Sequence, residues 1–234
     1  VKIEFDNLGS ILLHKLPIMS TETVYLAIDI EKVDDYQSSP IVAFGACLGD
    51  INGTVLESHA WYPALPQNAK FGERCKREFW DKQVGLYATF EDRAEPTAAA
   101  YNSFAAWLNG LEAHYGNIVV LSDNPAYDLG SLDHQLERYC GRLPVRYTSL
   151  GEYRCVSDWS EQCARMGAGA YGSIMARAKA EMGELSQLIH NPEVDAELIY
   201  RCTIITERIA GRVNADVSGL VAAAIEKLNI GSDT

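Results

Sequence analysis

A chain of 234 residues with 47% hydrophobic and 22% charged positions has the balance of a globular protein with a full core, one sizeable α/β domain long. Its net charge of −12 argues against a broad electrostatic surface for long nucleic acid, while leaving room for a small nucleic-acid substrate held by metals and a local basic lip. No apolar run approaches the roughly 20 residues of a membrane span and no signal-peptide pattern opens the chain, so a cytoplasmic location without membrane contact is expected. The six scattered cysteines, none in a CxxC pair, read as core thiols of a reducing space.

Residues 1–20 hold two short apolar runs around the turn signal Asn7-Leu8-Gly9-Ser10, which suits an N-terminal arm or hairpin; exchanged between two subunits, it would make a homodimer. Residues 21–234 read as one domain. In the stretch from Val24 to Glu31, Val24, Leu26, Ile28 and Ile30 share one strand face and Tyr25, Ala27, Asp29 and Glu31 the other. Apolar residues on both faces are what a central strand covered by helices on two sides requires. Residues 34–40 read as a loop. Two further strands, 41–48 and 55–62, flank the turn Asp50-Ile51-Asn52-Gly53, so three antiparallel strands open the fold.

After Pro63 and Pro66, a helix over 73–84 carries Arg74, Lys76, Arg77 and Lys82 beside Phe79 and Trp80. A second, from Pro96 to His114 with Gly116 as its stop, places Tyr101, Phe104, Ala105, Leu108 and Leu111 on one face. The apolar run 118–121 reads as a buried strand in parallel β-α-β order. A helix over 127–139 and a last strand over 145–150 complete a mixed five-stranded sheet. From Tyr153 the pattern is mostly helical, ending in a helix with Asn191 as cap, Pro192 as first residue and Gly211 as closure.

Three segments bear acids where acids are costly. Asp29 and Glu31 end a buried strand on one face, and burying like charges costs several kcal/mol unless a cation compensates; the alternative is that both lie past the strand in water. Asp128 falls at a helix start after the strand 118–121, where α/β sheets place their sites or where a dipole simply favours an acid; Asp123 and Asp133 compete with it. Asp195 borders the apolar face of the last helix, and His190, just before its cap, suits a general base near neutral pH.

Together, Asp29-x-Glu31, Asn124-x-x-Tyr127-Asp128 and His190-x-x-x-x-Asp195-Ala196 resemble the three motifs of the DnaQ-like DEDDh 3′→5′ exonuclease superfamily, over roughly residues 24–211. The resemblance implies a ribonuclease-H-like fold and hydrolysis of single-stranded RNA or DNA from the 3′ end, releasing nucleoside monophosphates, with RNA slightly favoured. It implies two Mg²⁺ or Mn²⁺ ions about 4 Å apart, one held by Asp29, Glu31 and Asp195, the other by Asp29 with Asp128 helping through water, and His190 taking a proton from the attacking water. Ile30 and Tyr127, with Phe79 or Trp80, are candidates for stacking on bases or for ordinary core packing, and Asn124 for substrate contact. The basic-aromatic stretch Arg138, Tyr139, Arg142, Arg146, Tyr147, Tyr153 and Arg154 either guides a strand or is solvated surface.

The chain departs from the family pattern at Lys32, where a Thr often follows the Glu, and at Pro192, where an Ala is common. Both bear on substrate detail and neither on a metal ligand. Two alternatives stand beside the exonuclease: a DNA proofreading enzyme, and an inactive nucleic-acid-binding or scaffold protein of the same fold.

Overall fold

The computed structural model describes residues 3–5, 11–13, 20–141, 153–155, 170–188, 190–209 and 211. Strands β1 (Ile3–Phe5) and β2 (Ile11–Leu13) pair antiparallel as a hairpin. Strands β3 (Ser20–Lys32), β4 (Ile41–Asp50), β5 (Val55–Trp61), β6 (Tyr115–Ser122) and β7 (Tyr153–Cys155) form a sheet in the order β5-β4-β3-β6-β7. β4 and β5 pair antiparallel and β6 and β7 parallel, so β3 sits where the two modes meet. This is the expected mixed sheet of three antiparallel and two parallel strands.

The alternation along β3 sorts its neighbours into two layers. Val24, Leu26, Ile28 and Ile30 pack with Phe44 and Leu48 against α3 (Thr97–His114) and α4 (Asp128–Cys140). Tyr25 and Ala27 join Cys47, Val119 and Leu121 beneath α5 (Ala170–Met182) and α6, a helix over 192–209. Cys47 and Cys202 are buried thiols in that second layer.

Several boundaries differ from the sequence expectation. The helix expected over 73–84 is a single turn, α1 (Glu73–Cys75), that widens into a π-helical turn (Lys76–Trp80). A further short helix, α2 (Leu86–Glu91), follows Gly85, whose φ of 85° suits only a residue without Cβ. Gly116 lies inside β6 and does not stop α3, which ends where Tyr115 turns extended. The fifth strand is Tyr153–Cys155, in a stretch expected to be helical; the strand expected over 145–150 lies outside the described residues. Gly211 still reads as helical at their edge.

One glycine sets how close the second layer comes to the sheet. Gly45 of β4 lies opposite Asp29 of β3, and a Cβ on it would stand 2.3 Å from the backbone of Pro192 and Glu193. The missing side chain lets the start of α6 press onto the strand pair beside Asp29. Gly45→Ala should therefore push α6 outward, costing about 1–3 kcal/mol and lowering Tm by about 2–4 °C per kcal/mol. An unchanged Tm on thermal unfolding would contradict this packing.

Candidate active site

Three elements bring the acids together. On β3, alternation carries Asp29 and Glu31 onto the face that Tyr25 and Ala27 pack into the second layer. β6 runs parallel to β3 with Leu121 opposite Ala27, so the chain leaving Ser122 brings Asp123 beside Asp29. At the start of α4, Asp128 is buried, accepts the Ser122 hydroxyl and takes the Asn124 amide at 3.3 Å. On α6, the Asn191 side chain caps the first turn by accepting the Glu193 amide at 3.2 Å, and its carbonyl accepts the Asp195 amide at 2.9 Å.

A cavity of about 770 Å³ opens over these groups, lined by Asp29, Ile30, Glu31, Asn124, Tyr127, Asp128, His190 and Asp195. These eight residues, each singled out in the sequence, border one space, although Ile30 is buried in the first core layer. Among the described residues, seven carboxylates line the cavity, the four above with Asp35, Glu78 and Asp123, against two cations, Lys32 and Arg74. Arg74 is itself paired with Asp35 and Glu78.

The acids fall into two groups. Glu31, His190 and Asp195 present ligand atoms within 4.8 Å of one another, and so do Asp29, Asp123 and Asp128. Such oxygen-rich sets, with several carboxylates close together in one cavity, fit hard divalent cations. Asp123 stood in the sequence only as a neighbour of Asp128; its position directly after β6, at the carboxyl end of a parallel strand, was the available signal.

The electrostatics record the crowding. Burial raises Asp29 well above the ordinary aspartate value, with Asp128, Glu31 and Asp195 adding to the rise. Glu31 rises by burial and by the charges of Asp195, Asp128 and Asp123. Asp128 is pushed up to about 8, chiefly by burial, against the opposing Ser122 hydroxyl, and Asp195 up to about 6 by burial against the His190 amide. Burial lowers His190 below its ordinary value. Its Nδ1 stands 3.9 Å from Glu31 Oε1, beyond hydrogen-bond range, and its backbone takes a φ of 64°. That left-handed conformation is uncommon for any residue but glycine, histidine being among those that adopt it more readily.

Other candidates separate into site and core. Tyr127 and Phe79 border the cavity, whereas Trp80 is buried in a third apolar cluster with Val33, Val42 and Phe90. Lys32 is buried: its Nζ donates to Ser131 Oγ at 2.7 Å and to the Tyr36 carbonyl at 3.3 Å, and lies 3.7 Å from the centre of the Tyr127 ring. It therefore ties the loop after β3 to α4. Tyr139 stacks on Tyr101 at 5.2 Å and Arg138 lies over Tyr139, at the end of α4 away from Asp128. Tyr153 and Arg154 belong to β7, while Arg142, Arg146 and Tyr147 lie outside the described residues.

The raised carboxylates add a pH-dependent contribution to stability without metal. Asp128 and Asp195 titrate higher in the folded chain than in the unfolded one, so their contribution is fully present below about pH 4 and is lost as pH rises toward about 8. The metal-free protein should melt lower at about pH 8 than at about pH 5 on this account. Mg²⁺ or Mn²⁺ at about 100 times Kd should raise Tm by about 5–10 °C at the higher pH and by less at the lower. A melting temperature indifferent to both ions at both pH values would remove the metal site.

No family model and no curated protein matches the sequence. Solved structures do match in fold. A product-bound exonuclease I superposes with a TM-score of 0.54 at 12% identity, covering 80% of this chain and 44% of the other. The cell-death related nuclease CRN-4 does so with 0.51 at 17% identity, covering 82% and 66%. The zinc-bound E. coli exonuclease I complex with single-stranded DNA gives 0.50 at 13%, covering 61% and 30%. The chain thus spans between 30% and 66% of the length of these structures, and what it shares with them is the arrangement of sheet and helices. Its fold is a ribonuclease-H-like fold, shared with exonuclease I and CRN-4.

Proposed function

We propose that this protein is a divalent-metal-dependent 3′→5′ exonuclease of the DEDDh class, acting on the 3′ end of single-stranded RNA or DNA. The observation that carries it is the convergence of Asp29, Glu31, Asp128, Asp195 and His190 on one cavity from β3, α4 and the start of α6. The exonuclease fold of the matching structures supports it, and one of those was solved with single-stranded DNA.

The residues divide the work. Glu31, Asp195 and the pair Asp29 and Asp128, with Asp123, would hold Mg²⁺ or Mn²⁺, which supply a water nucleophile at neutral pH and charge stabilisation on the phosphoryl oxygens. His190, whose charged form burial disfavours, accepts the proton of the attacking water. Tyr127 offers a face on which a base can stack. An inactive scaffold would gain nothing from gathering four carboxylates in one cavity, since like charges brought together out of water destabilise a fold.

Asp29→Asn and Asp195→Asn should each lower metal-dependent nucleotide release by about 10³-fold or more, several kcal/mol of transition-state stabilisation. His190→Ala should lower kcat by about 10²–10⁴-fold with KM little changed. Activity retained in either aspartate variant would overturn the assignment.

Polarity is tested separately with end-labelled RNA and DNA strands. A 3′-phosphate should block degradation that a 3′-hydroxyl permits, and equal cutting of a closed circle would indicate an endonuclease instead.

A further inference from the structure

The imidazole of His190 has an aromatic neighbour that none of the acidic motifs supplies. The Phe79 ring meets it edge-on, with centroids 4.9 Å apart and planes at 88°, a favoured geometry for paired rings. Both residues border the cavity.

Phe79 reaches this position through the π-helical turn, in which the Asp81 amide bonds back to the Lys76 carbonyl at 2.8 Å. Such wide turns recur where a side chain is re-aimed at a functional site. Here the turn sends consecutive residues to different places. Trp80 goes into the core, where its indole N–H donates to the Lys32 carbonyl at 3.0 Å, one residue beyond Glu31. Phe79 leans edge-on against Trp80, with centroids 4.9 Å apart, and presents its ring to the cavity. A continuous chain of contacts therefore runs from the end of β3 through Trp80 and Phe79 to His190. The strand that carries Glu31 also fixes the wall behind the imidazole.

We propose that Phe79 is a positioning residue that holds the His190 ring edge-on, so that an imidazole nitrogen stays aimed at the carboxylate cavity. This rests on the exonuclease reading above. A proton acceptor that must meet a water within hydrogen-bond reach loses rate when its ring swings free, while substrate affinity is little affected.

The test compares Phe79→Leu, which keeps apolar bulk, with Phe79→Tyr, which keeps the ring, and Phe79→Met stands in should the leucine variant fail to fold. Steady-state kinetics on a 3′-labelled strand should show kcat down by about 10–100-fold in Phe79→Leu with KM within about twofold, and Phe79→Tyr restored to within about threefold of the native rate. The second readout is the His190 ring-proton resonance of the metal-free chain, assigned with His190→Gln. It should sit displaced by the Phe79 ring current in the native and tyrosine forms and shift in the leucine form. A raised KM at unchanged kcat would make Phe79 a substrate-stacking residue only and overturn the proposal, as would a resonance that does not move. If the native protein itself turns over no substrate, the exonuclease reading fails and the resonance alone decides whether Phe79 holds the ring.

Discussion

Mutual repulsion among half-buried carboxylates is the constraint on which the rest of the structure depends. Asp29, Glu31, Asp128 and Asp195 border one cavity with Asp123 at its edge, and each of the four is pushed above the ordinary carboxylate range. A chain that gathers such groups must either protonate them or supply cations, and among the described residues the two cationic side chains that line the cavity are already engaged. Lys32 is spent on Ser131, the Tyr36 carbonyl and the Tyr127 ring, and Arg74 on Asp35 and Glu78. The two acid groups are spaced so that each could hold a divalent ion.

The scaffold serves that gathering in particular ways. β3 sits at the junction of antiparallel and parallel pairing, so acids leave the sheet together from the carboxyl ends of β3 and β6, where α/β proteins place their sites. Gly45 lets α6 lie against the strand pair at Asp29, which brings Asp195 and His190 over the same space. Farther along α6, the Tyr200 hydroxyl donates to the Asp50 carbonyl at 2.7 Å, and a Cβ on Gly49 would strike the Tyr200 ring. The helix is thus registered on the sheet at two glycines of β4.

Much of this was legible in the sequence because it rests on local patterns. Alternation from Val24 to Glu31 announced a central strand with two acids on one face, and Asn191-Pro192 announced the start of α6; both follow from short-range geometry. What was missed depends on tertiary context. A π-turn has no periodicity of its own, so the helix expected over 73–84 concealed how Phe79 and Trp80 part company. Gly116 looked like a helix stop, but sheet pairing of β6 with β3 claims the backbone from Tyr115 onward. Lys32 looked like a lost substrate contact, and only the packing of α4 shows it as a buried clamp. The fold is shared with structures at 12–17% identity because a few side chains and an apolar pattern suffice to specify it, which leaves little for sequence comparison to find.

The central claim, that the gathered carboxylates exist to hold divalent cations, is tested most directly by counting bound Mn²⁺ through electron paramagnetic resonance titration of the native chain beside Asp128→Asn. Two ions per native chain, falling to one or none in the variant while the fold persists, is the predicted result. A native chain that binds no Mn²⁺, or a variant that binds as many ions as the native chain, would contradict it.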